Sequence, residues 1–534
     1  MGTYINPGNR GFIEINNADY VDKTGLIGLI NQTIGTTRKL SCISRPRRFG
    51  KSFAVKMLAA YYDASCDSHA LFDDKKIAKA RDYEKHLNAY NVVCLDITGF
   101  ISLAQRQNKS LREVPNMIEE ALRGELCSLD PSLQAYPRLT DCMIHYAERP
   151  NGKLFMFLID EWDAIIRVAR DDQTAQMLYL DFLRELFKNS NFTPRAVAAA
   201  YVTGILPIKK DGSQSAISDF EEYTVIKPRQ FGEFVGFTEQ EVKQLCEQKQ
   251  LDFHVMKQWY DGYQFAGVGS VYNPNSVIKA LQYHDYDSYW TETSAAEGLL
   301  EYISSDYSGL SRTIAELIGG IDVPVNTVGF ANDLTTFRGK DDVLTLLIHL
   351  GYLAYDSSKK TVRIPNEEIR QEFQKSIREV PHEETRKRLA ASEQLFFDTI
   401  HGYEDLVAAQ IERVHMEETS PLHYNREDSL RTVIKLAYYT YKDHYIQFEE
   451  LPAGEGYADI VYLPRRDSGW PALLIELKWN ESAEGAIAQI KERNYPSVLK
   501  GIGCPVLLVG ISYNKRVNTK KTHFCKIEEM HTDS

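Results

Sequence analysis

No window of the 534-residue sequence approaches the ~20 consecutive apolar residues that a membrane-spanning helix needs. The opening Met1-Gly2-Thr3-Tyr4-Ile5-Asn6 lacks the basic segment and apolar core of a secretion signal, and Asn6 stands where a Gly2 myristoylation pattern requires Ser or Thr. A cytoplasmic protein with no membrane partner is the expectation. Eight cysteines (Cys42, Cys66, Cys94, Cys127, Cys142, Cys246, Cys504, Cys525) are scattered, without a C-x-x-C or a Cys/His pair at zinc-ligand spacing. That argues against a disulfide scaffold or thiolate metal site and for buried thiols in a reducing compartment. Positive charge is in deficit: 62 Lys and Arg against 74 Asp and Glu leave a net charge of −12. A protein that coats nucleic acid with its whole surface is thereby excluded, because such binding needs cations to displace counterions. Any nucleic-acid site must be a local patch. Internal repeats and low-complexity tracts are also missing, which excludes a solenoid.

What is present is a folding chain. Hydrophobic residues make up 43%, and 31 Tyr and 23 Phe supply ample apolar mass. The length exceeds what one core can serve, so about two to four domains are expected. From about residue 38 to 230, short β-rich apolar runs (39–44, 91–97, 154–160, 196–203 and 223–226) alternate with amphipathic stretches, the pattern of a parallel sheet covered by helices on both faces. Residues 231–300 read as helical and aromatic. Residues 301–394 combine helices with two short strands, at 347–356 and 361–365, the outline of a winged helix. From 395 onward helices precede a hairpin, another helix and a closing strand at 506–511.

Ser44-Arg45-Pro46-Arg47-Arg48-Phe49-Gly50-Lys51-Ser52 follows one of these strands and opens a helix, the context of a phosphate-binding P-loop. Backbone N–H groups and the helix N-terminus would cradle phosphates, Lys51 would reach the terminal ones, and Ser52 would join a Mg²⁺ shell. Arg47, Arg48, Gly50 and Phe53 complete the expected nucleotide-binding set. Arg45 occupies the place of the motif's first glycine, and the sequence does not say whether the three arginines meet phosphates or neighbouring acids. Leu154-Phe155-Met156-Phe157-Leu158-Ile159-Asp160-Glu161 is an apolar strand ending in two acids: Asp160 to hold Mg²⁺, Glu161 to polarise an attacking water. Thr203, at another strand end, is read equally well as a sensor of the terminal phosphate or as a strand-capping hydroxyl.

Near the C-terminus, Gly456-Tyr457-Ala458-Asp459-Ile460-Val461-Tyr462-Leu463 and Ala472-Leu473-Leu474-Ile475-Glu476-Leu477-Lys478 flank a turn composition, Pro464-Arg465-Arg466-Asp467-Ser468-Gly469. Asp459 and Glu476 are equidistant from the centre of that turn, so a regular hairpin opposes two carboxylates. Facing like charges are destabilising unless a cation lies between them, which makes Mg²⁺ the expected partner. Lys478, two residues beyond Glu476, shares its face. Two acids on a metal with an ammonium beside them can activate water and stabilise a phosphoryl transition state. Glu427, at the start of a helix over 429–441, is a further candidate metal ligand. Gln489, on a helix over 483–493, is a candidate for orienting phosphate or nucleophile, with Tyr495 beside it. Lys491, Arg493, Lys500, Lys515, Arg516, Lys520 and Lys521 make this end locally basic, which suits a polyanion.

Over nearly its whole length the chain resembles a family of prokaryotic proteins that pair an AAA-ATPase-like domain with a C-terminal PD-(D/E)XK nuclease domain. The resemblance is carried by the 45–52 loop, Asp160-Glu161, Thr203-Gly204-Ile205, Gly236-Phe237-Thr238, Trp259-Tyr260-Asp261-Gly262-Tyr263, Tyr272-Asn273-Pro274, Gly351-Tyr352-Leu353, Ile364-Pro365-Asn366 and the Asp459/Glu476-Leu477-Lys478 hairpin. It implies an α/β protein: a P-loop ATPase core (1–230), a helical lid (231–300), a winged-helix-like region (301–394) and a nuclease domain (395–534). Arg45 in place of glycine is then a family trait. Further implications are ATP and Mg²⁺ as cofactors, DNA as the favoured polymer, a possible homo-oligomer and a role in defence or mobile-element control. A signalling switch whose nuclease is released on oligomerisation, and a nucleic-acid-binding module without catalysis, are the alternatives.

Overall fold

A computed structural model of the chain describes residues 2–18, 20–208, 219–290, 310–318, 320–330, 337–379, 383–418, 427–438, 445–453, 456–464, 470–493, 504–514 and 521–530. The chain divides into two compact units, one of residues 1–299 with 324–372, the other of residues 300–323 with 373–534.

In the first unit the apolar runs become five strands, β1 (Leu40–Ser44), β2 (Asn91–Asp96), β3 (Phe155–Asp160), β4 (Val197–Gly204) and β5 (Glu221–Tyr223). They form one sheet in the order β2-β3-β4-β1-β5, with every pairing parallel. Parallel neighbours must be joined by crossovers, and the helices that make them cover the sheet. β1, β3 and β4 are accordingly buried at every position. Phe155, Phe157 and Ile159 of β3 share a core with Phe100, Ile118, Leu122, Leu183 and Phe187 from these helices. The last strand ends at Tyr223, short of the expected 223–226, because Thr224 accepts from the Lys227 amide through its hydroxyl and donates its own amide to the Lys227 carbonyl, closing a turn. The register Ile43↔Thr203 and Ile159↔Val202 aligns the carboxyl ends of β1, β3 and β4, where open α/β sheets bind ligands.

Residues 231–290 carry the expected helices, Glu239–Lys249, Phe253–Tyr260 and Pro274–Tyr283, the first of them started by a Thr238/Glu241 capping box. They also hold a small antiparallel sheet that the helical reading lacked: β6 (Phe237–Thr238), β7 (Tyr263–Phe265) and β8 (Gly269–Tyr272), in the order β6-β8-β7. Gly262, at φ +118°, makes its turn possible: a Cβ there would lie 2.0 Å from the Pro365 carbonyl oxygen. Further on, β9 (Val323–Pro324), the helix Lys340–Leu350, β10 (Ala354–Asp356) and β11 (Thr361–Arg363) give the helix-then-hairpin outline, with strand order β10-β11-β9.

The second unit is built on a five-stranded mixed sheet, β12 (Tyr445–Ala453), β13 (Gly456–Pro464), β14 (Ala472–Trp479), β15 (Val506–Tyr513) and β16 (His523–Met530), in sequential order. Only β14 and β15 run parallel, and the helix Ala483–Glu492 connects them. Alternation along the strands feeds two cores. Ile460, Tyr462, Leu473, Ile475 and Leu477 face Val407, Ile411, Leu430 and Ile434 of the preceding helices. Val461, Leu474 and Leu508 face Ile487 and Ile490 of the connecting helix. The expected hairpin, helix and strand are all present, flanked by two strands the sequence reading lacked. β16 escapes notice because His-Phe-Cys-Lys-Ile-Glu-Glu-Met carries the charges typical of a sheet edge. Among the described residues no helix is long and apolar enough to cross a membrane.

Candidate functional site

The loop after β1 owes its shape to side chains that a P-loop of small residues would lack. The Arg45 amide donates to the Gly204 carbonyl, and its guanidinium is fully buried. Nη1 donates to the carbonyls of Ser44 and Tyr223, both at 2.9 Å, Nη2 donates to that of Phe231 at 3.3 Å, and the group lies 5.0 Å from the Phe265 ring. Burial brings its pKa down to about 10. These partners are neither of the two the sequence left open, and through them Arg45 ties β1 to β5 and to residues 231–265. Arg48, in the left-handed region at φ +66°, donates to the Tyr289 carbonyl, and Phe49 packs edge-on against Tyr263 at 5.2 Å. Gly50, at φ +89°, is the N-cap of the helix Lys51–Tyr62, whose first turn carries no acid. Its free N–H groups therefore face no competing carboxylate from their own helix.

Lys51, Ser52, Asp160 and Glu161 converge at the carboxyl ends of β1 and β3. Lys51 Nζ donates to the carbonyls of Pro46 (2.9 Å) and Arg45 (3.2 Å) and lies 3.4 Å from Glu161 Oε1. Ser52 lies beside the Asp160 carboxylate and favours its charged form, yet the pKa of that acid is pushed up to about 6, first by burial and then by the adjacent Glu161. Glu161 moves the other way: burial raises it, but Lys51 and Arg167 together hold it below the usual carboxylate range. Thr203 is buried on β4 next to the P-loop strand, and its Oγ1 has no hydrogen-bond partner among the described residues.

A cavity of about 500 Å³ opens beside these groups. Arg47, Arg48, Gly50, Lys51, Ser52, Phe53 and Glu161 line it. The rest of its lining is mixed: Ile15, Tyr20, Val21, Met57, Phe237 and Ile278 are apolar or aromatic, and Lys23, Asn275, Lys279 and Gln282 are polar. Phe53 is 56% exposed, unusual for a phenylalanine and explained by its position at this opening. The sequence reading missed the contribution of residues 15–23, which carry no motif. It also missed Asp163 and Arg167, although an acid and a base four apart just past the Asp160-Glu161 pair was the available signal.

In the second unit the register Ile460↔Ile475, Val461↔Leu474, Tyr462↔Leu473 brings Asp459 opposite Glu476 one step further along. There the ladder stops, because Asp459 Oδ2 accepts from the Leu477 amide at 2.9 Å. Asp459 Oδ1 accepts from Arg431 Nη2 at 2.8 Å, a partner the sequence did not suggest. Glu476 is 3% exposed, and burial and then Asp459 push its pKa up to about 7. Gln489, from the connecting helix, donates to Glu476 Oε1 and accepts from Lys478 Nζ, which lies 3.8 Å from Glu476. Glu476 Oε2 is buried with no partner among the described residues. Asp459, Glu476, Lys478 and Gln489 are therefore one cluster. Glu427 begins the helix Glu427–Ala437, but its side chain lies outside the described residues. So do Tyr495, Lys500, Lys515, Arg516 and Lys520. Lys491 and Lys521 pair with Glu528 and Asp405, which subtracts them from the expected basic patch. Among the described residues, no group of three or more His, Cys, Asp or Glu side chains forms a ready-made metal cage.

Residues 9–213 match the family described as Predicted AAA-ATPase. The chain is 27% identical over 306 residues to an uncharacterised protein encoded in the vnfD 5′ region of Azotobacter chroococcum mcd 1, an alignment covering 56% of this chain and 55% of that protein. The chain thus spans about half the length of that relative. Among solved structures it is similar to a Walker-type ATPase of Pyrococcus abyssi (TM-score 0.33, 11% identity, 66% of this chain and 94% of that one). It is also similar to the ORC2 protein of Aeropyrum pernix in ADPNP–ADP complexes (TM-score 0.29, 13% identity, 68% and 98%). The family match falls on the N-terminal α/β region, residues 9–213, which holds β1 to β4 of the parallel sheet, the 45–52 loop and the acid-ended β3.

Proposed function

We propose that the chain binds and hydrolyses ATP at the first site and cleaves nucleic acid, with DNA as the favoured polymer, at a PD-(D/E)XK-type second site that requires Mg²⁺. At the first site, Lys51 and the amides of the helix Lys51–Tyr62 serve the phosphates, Ser52 and Asp160 hold Mg²⁺, Glu161 orients the attacking water and Thr203 reads the terminal phosphate. The apolar part of the lining, Phe53, Val21 and Ile278 among it, would receive the base. The donor set suits a hard cation: a hydroxyl oxygen and a carboxylate, the latter an acid whose burial disfavours its charge.

The observation that carries the nuclease half is the convergence of Asp459, Glu476 and Lys478 on one face of β13 and β14, with a buried Glu476 oxygen that has no partner among the described residues. Asp459 and Glu476 would hold Mg²⁺, which supplies Lewis acidity and lowers the pKa of bound water. Lys478 places an ammonium beside them, and Gln489 fixes Lys478 and Glu476 relative to each other. The four-part division at 230, 300 and 394 belongs to this reading. Cleavage of DNA and RNA by the full chain, with Mg²⁺ and with or without ATP, tests it. Wild type should cut, Glu476→Ala should not, and Lys51→Ala should lose any dependence on ATP. Cutting by Glu476→Ala at the wild-type rate would sink the assignment.

A further inference from the structure

Glu161 follows β3 directly and has φ +52°, a left-handed conformation that a non-glycine residue adopts only where its surroundings hold it. The holding groups are two cations, one for each carboxylate oxygen. Oε1 lies 3.4 Å from Lys51 Nζ, and Oε2 accepts from Arg167 Nη2. Lys51 and Glu161 line the cavity, but Arg167 does not. It reaches Glu161 from behind.

Arg167 has a second engagement. Its Nε donates to Asp163 Oδ2 at 3.1 Å, the partner one helical turn earlier. Asp163 is fully buried, and the same Oδ2 accepts from the amides of Leu206 (2.8 Å) and Ile205 (3.2 Å), the residues immediately after β4. The approach leaves no room: a Cβ on Gly204 would lie 2.5 Å from Asp163 Oδ1 and 2.7 Å from the Trp162 ring. The Trp162 amide in turn donates to the Thr203 carbonyl. The end of β4, carrying Thr203, is thereby joined through Asp163 and Arg167 to one oxygen of Glu161.

We propose that Arg167 is a positioning residue for ATP hydrolysis, which keeps one oxygen of Glu161 fixed to the end of β4 while the other faces the cavity. The inference rests on the ATPase reading of the first site. Lys51 has an alternative partner, since phosphates compete for its ammonium; Arg167, off the cavity wall, has none there. When a nucleotide draws Lys51 away, Arg167 retains Oε2, and Oε1 is freed in a defined direction. A guanidinium suits this role because its planar fork serves Glu161 and Asp163 at once, which an ammonium does less well.

The test is steady-state ATP hydrolysis by the full chain, together with equilibrium binding of a non-hydrolysable ATP analogue, for wild type, Arg167→Ala, Arg167→Lys, Arg167→Gln and Gly204→Ala. Arg167→Ala should lower kcat about tenfold or more while KM and analogue affinity stay within about threefold, the pattern of an interaction that acts beyond ground-state binding. Arg167→Lys should recover part of the kcat, and Gly204→Ala, by displacing Asp163, should lower kcat with the same unchanged affinity. If Arg167→Ala does not fold, Arg167→Gln, which retains the stem and one donor group, supplies the same comparison. A wild-type kcat in the Arg167 variants, or a loss of kcat matched by loss of analogue binding, overturns the proposal. A wild type that neither binds the analogue nor hydrolyses ATP overturns the ATPase reading itself, and the proposal with it.

Discussion

At the N-terminal site Glu161 sits between two cations of the same chain, Lys51 and Arg167, and its pKa is held low. In the C-terminal sheet Glu476 is buried beside another carboxylate, keeps one oxygen without a partner among the described residues, and has its pKa pushed up to about 7. Glu161 follows a parallel-paired strand and Glu476 lies within β14, yet the first is held by two cations at its two oxygens while the second, even with Lys478 at 3.8 Å, has its pKa raised. A site of the first kind exchanges an internal cation for a ligand's charge. On the proposed nuclease reading, a site of the second kind would be completed by a cation from outside, which would couple its binding of metal to its stability.

The largest effect that could break this contrast is at Lys51. Lys51→Ala should weaken ATP binding about 100-fold, the loss of one or two charge-assisted hydrogen bonds at ~1.5–3 kcal/mol each, while Mg²⁺ binding by the second unit is unchanged in calorimetry. Unchanged ATP affinity would mean that the internal cation is not exchanged. A sharper comparison comes from the same substitution at both acids. Glu476 has a raised folded-state pKa, so its ionisation costs stability as pH rises from about 4.5 to about 7. In chelator at pH 8, Glu476→Gln should therefore raise the melting temperature, a gain that disappears toward pH 4.5. Glu161 has a lowered folded-state pKa and contributes stability above its unfolded value, lost as pH falls through the folded one. Glu161→Gln at pH 8 should lower the melting temperature, and two shifts of equal sign would dissolve the contrast. The smallest effect is expected at Arg431, the partner of Asp459. Arg431→Ala should slightly lower the melting temperature in chelator, with Mg²⁺ restoring more stability than it adds to wild type.

Much of this was legible in the sequence where a feature depends on local spacing. The strand limits at 40–44, 91–96 and 155–160 follow from apolar runs, and the facing of Asp459 and Glu476 follows from counting outward from a turn. What required the fold were contacts between distant segments. Arg45 could not be assigned because its partners, Tyr223, Phe231 and Phe265, lie about 180 to 220 positions away. Arg431 was hidden for the same reason, and the apolar wall of residues 15–21 belongs to no motif. Gln489 was proposed as a group that orients phosphate or nucleophile, and its observed partners are Lys478 and Glu476, the side chains those ligands would meet.

The strand order has a consequence for how the chain is made. β1, which launches the P-loop, pairs with no strand synthesised near it: Leu40 meets Ala200, 160 residues later, and Ser41 meets Glu221, later still. At roughly 5–20 residues per second the ribosome takes roughly 10–30 s to deliver those partners. Throughout that interval β1 is a strand without its partners, so the support beneath the 45–52 loop is completed only when β4 and then β5 have emerged.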